Sequence, residues 1–210
     1  MSKSMIGLVR MPLFFALAVS AVAAGCSPLS PREDSSRFFL LTSTAPATGA
    51  PSPSADAPAG SIAVGPLDLP TYLSGPLLVT RIDDNEVRIS DFERWAEPLR
   101  DNMVRVLAEN LSGQLQARVV VFPALLSEEV RLRVPIAVKR FERDSTGAVE
   151  LRARWSIDDV VTGKSLEYGV STISQPPLGV GGDGSAATMS AALASLSREI
   201  AARIRGLPAP

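Results

Sequence analysis

The chain has 210 residues, 46% of them hydrophobic, with 21 Lys and Arg against 22 Asp and Glu and a net charge of −1. So even a balance lacks the cationic footprint that nucleic-acid binding requires, and a single cysteine excludes a disulfide scaffold. The absence of histidine removes the commonest general base and metal ligand.

Lys3 and Arg10 form a basic start, and Met11 to Ala24 an uncharged apolar run that leads through Gly25 to Cys26. A basic start, a short apolar core and small residues at the cut make a secretory signal over residues 1–25. A spanning helix needs about 20 apolar residues, and this run meets Ser27-Pro28 too soon. With the only cysteine directly behind it, the stretch resembles a bacterial lipoprotein signal, with Ala23 where such signals usually carry Leu. That resemblance implies a lipidated Cys26, left by cleavage as the first of 185 mature residues with a net charge of −3. Several acyl chains, at about 0.8 kcal/mol per buried methylene, then hold the domain permanently to a membrane. Ser27 stands where an Asp would favour inner-membrane retention, so the implied location is the outer membrane, lipid-anchored and facing the periplasm. No thiol remains for a disulfide, and the length suits one core.

Residues 26–36 read as a lipidated tether and 37–207 as a single domain. Arg37 to Thr42 is a predicted strand, and Ser43 to Gly60 is Pro, Ala, Ser and Gly with one charge, a composition expected to form a flexible loop. Ile62 to Pro66 is a strand that the Gly65-Pro66 pair should end, and Leu67 to Gly75 is rich in turn residues. Leu77 to Ile82 and Glu86 to Ile89 flank Asp83-Asp84-Asn85 as a hairpin. Pro98 is placed at the first helical position, followed by Leu99, Met103, Val106, Leu107, Leu111 and Leu115 at helical spacing, with Gly113 marking the end. Arg118 to Phe122 is a short strand stopped by Pro123. Val130 to Val138 and Val149 to Ile157 alternate apolar with polar residues around an Asp144-Ser145-Thr146-Gly147 turn, so this hairpin has one buried and one wet face. Leu166 to Ile173 is a further strand, and Met189, Leu193, Leu196, Ile200 and Ile204 stripe a helix from about Ser185 to Gly206. Six or seven strands and two amphipathic helices predict an α+β two-layer sandwich, with both helices on one face of a largely antiparallel or mixed sheet.

Few constellations carry chemistry. Gly179-Val180-Gly181-Gly182-Asp183-Gly184 matches G-x-G-x-x-G, but no second strand with an acidic end follows, so it reads as a strand-to-helix loop. Arg131, Arg133, Lys139, Arg152 and Arg154 share the outward face of the long hairpin, a face for anionic headgroups or an acidic partner unless Glu129, Glu142 and Glu150 balance it. Trp95 and Trp155 fall in phase with apolar neighbours and are expected in the core. Asp83-Asp84 and Asp158-Asp159 are adjacent pairs whose side chains diverge, and no Ser-x-x-Lys pair stands out on a helix. The chain is expected not to be an enzyme, with no catalytic residues, no cofactor and no metal.

Several stretches together are similar to one family. Arg37-Phe38-Phe39-Leu40 resembles its opening aromatic strand, and Ile62-Ala63-Val64-Gly65-Pro66 with Leu69-Pro70-Thr71-Tyr72-Leu73 its next segment. Trp95-Ala96-Glu97-Pro98-Leu99 followed by Val106-Leu107-Ala108-Glu109-Asn110-Leu111 resembles its central helix. The family is that of the ABC-type transport auxiliary lipoproteins, or PqiC-like membrane-integrity lipoproteins. The resemblance implies a non-enzymatic accessory of an envelope lipid-transport system. Its implied partner is a mammalian cell entry (MCE) domain protein, and the chain itself is implied to form a homo-oligomeric ring that docks the transport complex at the outer membrane. Its candidate partner surface is the Leu69 to Leu73 turn, with Leu69 and Tyr72, together with Arg131, Arg133, Arg152 and Arg154. A second reading, of another class, is a standalone envelope-stability lipoprotein that binds peptidoglycan or outer-membrane proteins.

Overall fold

The computed structural model describes residues 35–44, 60–123 and 130–208. The signal, Cys26, most of the tether, Glu129 and residues 45–59 lie outside the described residues. Eight strands and two longer helices follow in order: β1 (Arg37–Phe39), β2 (Ser61–Asp68), β3 (Leu77–Arg81), β4 (Val87–Trp95), α1 (Leu99–Leu115), β5 (Val119–Val121), β6 (Val130–Asp144), β7 (Val149–Asp159), β8 (Ser165–Gln175) and α2 (Gly181–Arg205).

The spine is β6, 15 residues long. Along one edge it pairs antiparallel with β7, which pairs antiparallel with β8. Its other edge is shared. β2 runs parallel to the first half, from Ser61 opposite Val130 to Asp68 opposite Ala137, with β5 parallel beyond it. β3 then joins the far end, Thr80 opposite Arg143, carrying antiparallel β4 and, beyond that, parallel β1. The sheet is thus mixed, and it forks where β2 leaves β6.

Period-two alternation sets the two faces. Leu132, Val134, Ile136 and Val138 of β6 and Val149, Leu151, Ala153, Trp155 and Ile157 of β7 are all buried. A register shift between Val138 and Arg140 then moves the inward position to Phe141, which pairs with Leu151. α1 packs on β2 and β5, α2 on β1, β6, β7 and β8, and the helices on each other, giving the α+β sandwich. Trp95 and Trp155 both lie in the core. The Trp155 ring fills the space where a Cβ at residue 169 would stand, 2.3 Å from the ring, so only Gly169 fits there. Its indole N–H donates to Ser171 Oγ at 2.9 Å.

Buried polar residues fix the chain that follows β1. Asn102 accepts the Leu41 N–H at 2.6 Å and donates to its carbonyl at 3.1 Å, imitating a strand partner from the side of α1. Two turns on, Asn110 Oδ1 accepts the Thr44 N–H at 3.1 Å, and Ser190 of α2 accepts that of Thr42 at 3.1 Å.

Several boundaries differ from expectation. β1 stops at Phe39 rather than Thr42, β4 runs on from Ile89 to Trp95, and β6 runs on from Val138 to Asp144. Four further differences have a local cause. Gly65-Pro66 does not end β2: the register with β6 skips between Val64 and Leu67, and Gly65, at φ +110°, forms an irregularity inside a strand that continues to Asp68. Pro98 caps α1 from outside the helix rather than opening its first turn. Gly113 lies within α1, which closes at Leu115 before a left-handed Gln116 because buried Leu111 and Leu115 outweigh the glycine's cost of about 1 kcal/mol. α2 begins at Gly181, four residues ahead of Ser185, so the glycine run is its first turn rather than only a loop. Packing explains the glycines: a Cβ at Gly182 would stand 2.2 Å from the Phe39 ring, and one at Gly184 2.2 Å from the Gly179 carbonyl carbon.

Candidate functional site

The Leu69 to Leu73 segment bridges the fork, leaving β2 and re-entering the sheet as β3. Its Thr71–Leu73 portion is a single 3-10 turn closed by the Leu73 N–H on Pro70 O at 3.0 Å. Leu73 is buried, while Leu69 and Tyr72 are half-buried against the core. Tyr72 therefore presents only part of its ring, and its hydroxyl is used internally.

The acceptor is Glu142, whose side chain is 1% exposed. After the β6 register shift Glu142 falls on the outward side, opposite Glu150, yet Tyr72 and Arg81 cover it. Its carboxylate accepts Arg81 Nε at 2.6 Å, the Tyr72 hydroxyl at 2.7 Å, the Phe141 N–H at 3.0 Å and Arg140 Nε at 3.2 Å. Burial by itself pushes this carboxyl up, but the bonds from Arg81, Tyr72 and the Phe141 amide outweigh it and hold Glu142 below the usual range. Burial first, then the bond to the Glu142 anion, pushes the Tyr72 phenol up to about 12. Arg81 also sits over the Tyr72 ring, 5.9 Å from its centroid.

The network continues across the sheet. Arg140 donates to Glu150 at 2.8 Å, and Glu150 also pairs with Arg152. The turn and the basic hairpin, two separate candidates in the sequence, are thus joined into one surface through Glu142, Arg140 and Glu150. At the other end of the same face Arg131 pairs with Asp159 at 2.8 Å and Arg133 with Asp158 at 3.6 Å. The Thr162 N–H, with the Arg131 charge and the Val161 N–H, holds Asp159 below the carboxylate range. Arg154 is exposed between Ala137 and Val170 and has no ion-pair partner among the described residues.

Glu142 is the residue that sequence reasoning misplaced, as a counter-charge on a solvated face. Its signal was present in Phe141, an apolar residue out of phase with Val138, which marks the register shift that turns the following position.

Among the described residues no group of three His, Cys, Asp or Glu side chains is placed to hold a metal ion. A groove of about 400 Å³ opens where the β6–β7 turn meets the start of α2. Two arginines line it, Arg88 and Arg143, and Arg143 donates to Thr80 at 2.7 Å, Ser185 at 2.5 Å and Glu93 at 2.7 Å, so all three of its guanidinium nitrogens are engaged within the protein. No helix among the described residues is long and apolar enough to cross a membrane.

The fold is a forked mixed sheet backed by two helices, with an arginine-rich outward face. Residues 39–201 match the family model described as ABC-type transport auxiliary lipoprotein component, and the chain belongs to that family. The fold is shared with a solved protein described as uncharacterized (TM-score 0.65, 21% identity, covering 80% of this chain and 98% of that one). It is shared too with XCC0632 from Xanthomonas campestris (TM-score 0.63, 17% identity, covering 81% and 96%). Among curated proteins none matches the sequence. The family is one of transport auxiliary lipoproteins and is not a known enzyme family.

Proposed function

We propose that the protein is a lipid-anchored periplasmic accessory subunit of an MCE/ABC-type envelope lipid-transport system. In this reading it docks the transport complex at the outer membrane, as a homo-oligomer held there through lipidated Cys26. The observation that carries the proposal is the family match over residues 39–201, on a chain whose only cysteine directly follows a signal-like apolar run. Leu69, Tyr72, Arg131, Arg133, Arg152 and Arg154 form the proposed partner surface. Its support is that the Glu142 network joins the turn to the hairpin, and that Arg154 is left with its charge uncommitted.

The test is in-cell crosslinking of tagged full-length protein, detergent extraction and mass spectrometry of what co-purifies. An MCE-domain protein in the crosslinked assembly is the expected result. Recovery of only porins or peptidoglycan-bound proteins would overturn the reading in favour of a standalone envelope lipoprotein. Alanine at Leu69, Arg131 and Arg152 should each weaken the crosslink, and unchanged crosslinking would remove the assigned surface.

A further inference from the structure

The β8–α2 loop and the start of β1 share one end of the sheet. β3 and β6 both stop there, Arg81 opposite Asp144, and Val149 at the start of β7 faces Gln175 at the end of β8. β4 begins at this end and runs away from it, and β1 runs parallel to β4 with Arg37 opposite Glu93. The chain therefore enters β1 from this side. Arg37 lies 11 positions after Cys26, a reach of at most about 40 Å. β7, with 11 residues, is itself about 36 Å long. An anchor at Cys26 thus favours this end at the membrane, with the β7–β8 turn pointing away.

The loop here reads Pro176-Pro177-Leu178-Gly179-Val180-Gly181, without a charge or a polar side chain, and all six residues are exposed. Leu178 is 58% and Val180 93% exposed. Their backbone is pinned. The Leu178 N–H donates to Thr188 Oγ1 at 3.0 Å, and Gly179 presses on Gly184 too closely for a Cβ there. Gly182 packs on the Phe39 ring and Asp183 pairs with Arg37 at 2.5 Å, which ties the loop's helix to the strand that the tether enters. Two apolar side chains are held outward by a rigid base.

Val160 and Val161 are also exposed, at the opposite end, but Asp158, Asp159 and Lys164 flank them. Around the β8–α2 loop, Arg37, Arg81 and Arg143 are each paired with a carboxylate. Asp83, Asp84, Glu86 and Asp144 outweigh Arg88 there, so this end is acidic on balance and attracts no anionic headgroup. Its contact is apolar.

We infer that the β8–α2 loop dips into the membrane that holds the anchor, with Leu178 and Val180 at the boundary between zwitterionic headgroups and acyl chains. Acyl chains alone leave a domain free to turn about its tether. A second, rigid contact fixes its orientation. The inference rests on the lipid-anchored reading above, and the measurements separate the two.

Full-length protein is reconstituted in phosphatidylcholine vesicles whose acyl chains carry bromine, a contact quencher of tryptophan. Wild type sets the baseline, because Trp95 and Trp155 are buried. Val180→Trp should be quenched several-fold more than Val161→Trp, with an emission shifted to the blue and a thermal melt like that of wild type. An anchored chain in which Val180→Trp is quenched no more than Val161→Trp would overturn the loop contact and leave the anchor standing. Intact-mass measurement that finds no acyl chain on Cys26 would overturn the anchored reading, and the loop's role with it.

Discussion

The two ends of the outward sheet face use the same chemistry to different effect. At the fork, Glu142 is enclosed by Tyr72, Arg81 and Arg140; at the hairpin base, Asp158 faces an Arg133 that is 42% exposed, across 3.6 Å. Coulomb attraction between unit charges 4 Å apart is about 1 kcal/mol in water and about 4 at an effective dielectric of 20. The difference in burial therefore decides which pair holds structure and which merely decorates it. A stripe of arginines in a sequence is thus not one feature: some are committed to the fold, and Arg154 has no ion pair among the described residues.

The strongest way to break this comparison is Glu142→Ala. It leaves Arg81 and Arg140 facing a buried gap and should cost about 3–5 kcal/mol, read from urea unfolding midpoints at constant slope. A loss below about 1 kcal/mol would mean that the fork is as solvent-screened as the hairpin base.

Tyr72→Phe should cost less, about 1.5–3 kcal/mol, for one hydrogen bond to a charged acceptor. Its pH signature is sharper than its size. The Tyr72 pKa is raised from 10.0 to about 12 in the fold, so its contribution is complete below pH 10 and is lost as pH rises towards 12. Glu142 works in the opposite sense: its pKa is lowered from 4.5, so its contribution is present above that pH and disappears as pH falls through the folded value. Stability scans should therefore decline at both extremes, with the alkaline decline weakened in Tyr72→Phe and the acidic one in Glu142→Gln. An unchanged alkaline limb would detach Tyr72 from the network.

At the hairpin base, a double-mutant cycle on Arg133 and Asp158 should return a coupling of about 0–1 kcal/mol that shrinks further in high salt. A coupling near that of Tyr72 and Glu142 would erase the contrast.

What the sequence disclosed follows the same division. The apolar alternation of Val130 to Val138 and Val149 to Ile157, and the stripes of both helices, are local periodic signals, and the α+β sandwich follows from them. Two kinds of feature escaped. The first is parallel pairing between distant segments: nothing in Ser61 to Asp68 states that it shares an edge of β6 with β3, and so nothing locates the fork. The second is polar residues used inside, as with Glu142, Asn102 and Asn110, where a residue that reads as solvent-facing is satisfied by a partner some 60 or more positions away. The turn and the basic face were both visible as candidates, but the bonds that join them were not. Even Gly65-Pro66, a punctuation mark by composition, was overruled by the neighbours that β5 and β6 supply.

The smallest expected effect on stability belongs to Arg154, and it separates fold from function most cleanly. Arg140 and Arg152 are tied to Glu150, and Arg131 and Arg133 to the two aspartates, so removing any of them disturbs a neighbour as well as the surface. Arg154 has Ala137 and Val170 beside it and no counter-charge among the described residues. Arg154→Ala should therefore shift stability by no more than about 0.5 kcal/mol. An arginine kept exposed and unpaired on a strand face is, however, the kind of residue that reaches an acidic partner group. In the crosslinking assay Arg154→Glu should lower recovery of the transport partner more than Arg154→Ala does, with both chains folded and anchored alike. Equal recovery for Arg154→Glu and wild type would place the partner elsewhere on the molecule, and would leave the outward face with the Glu142 network as its only defined role.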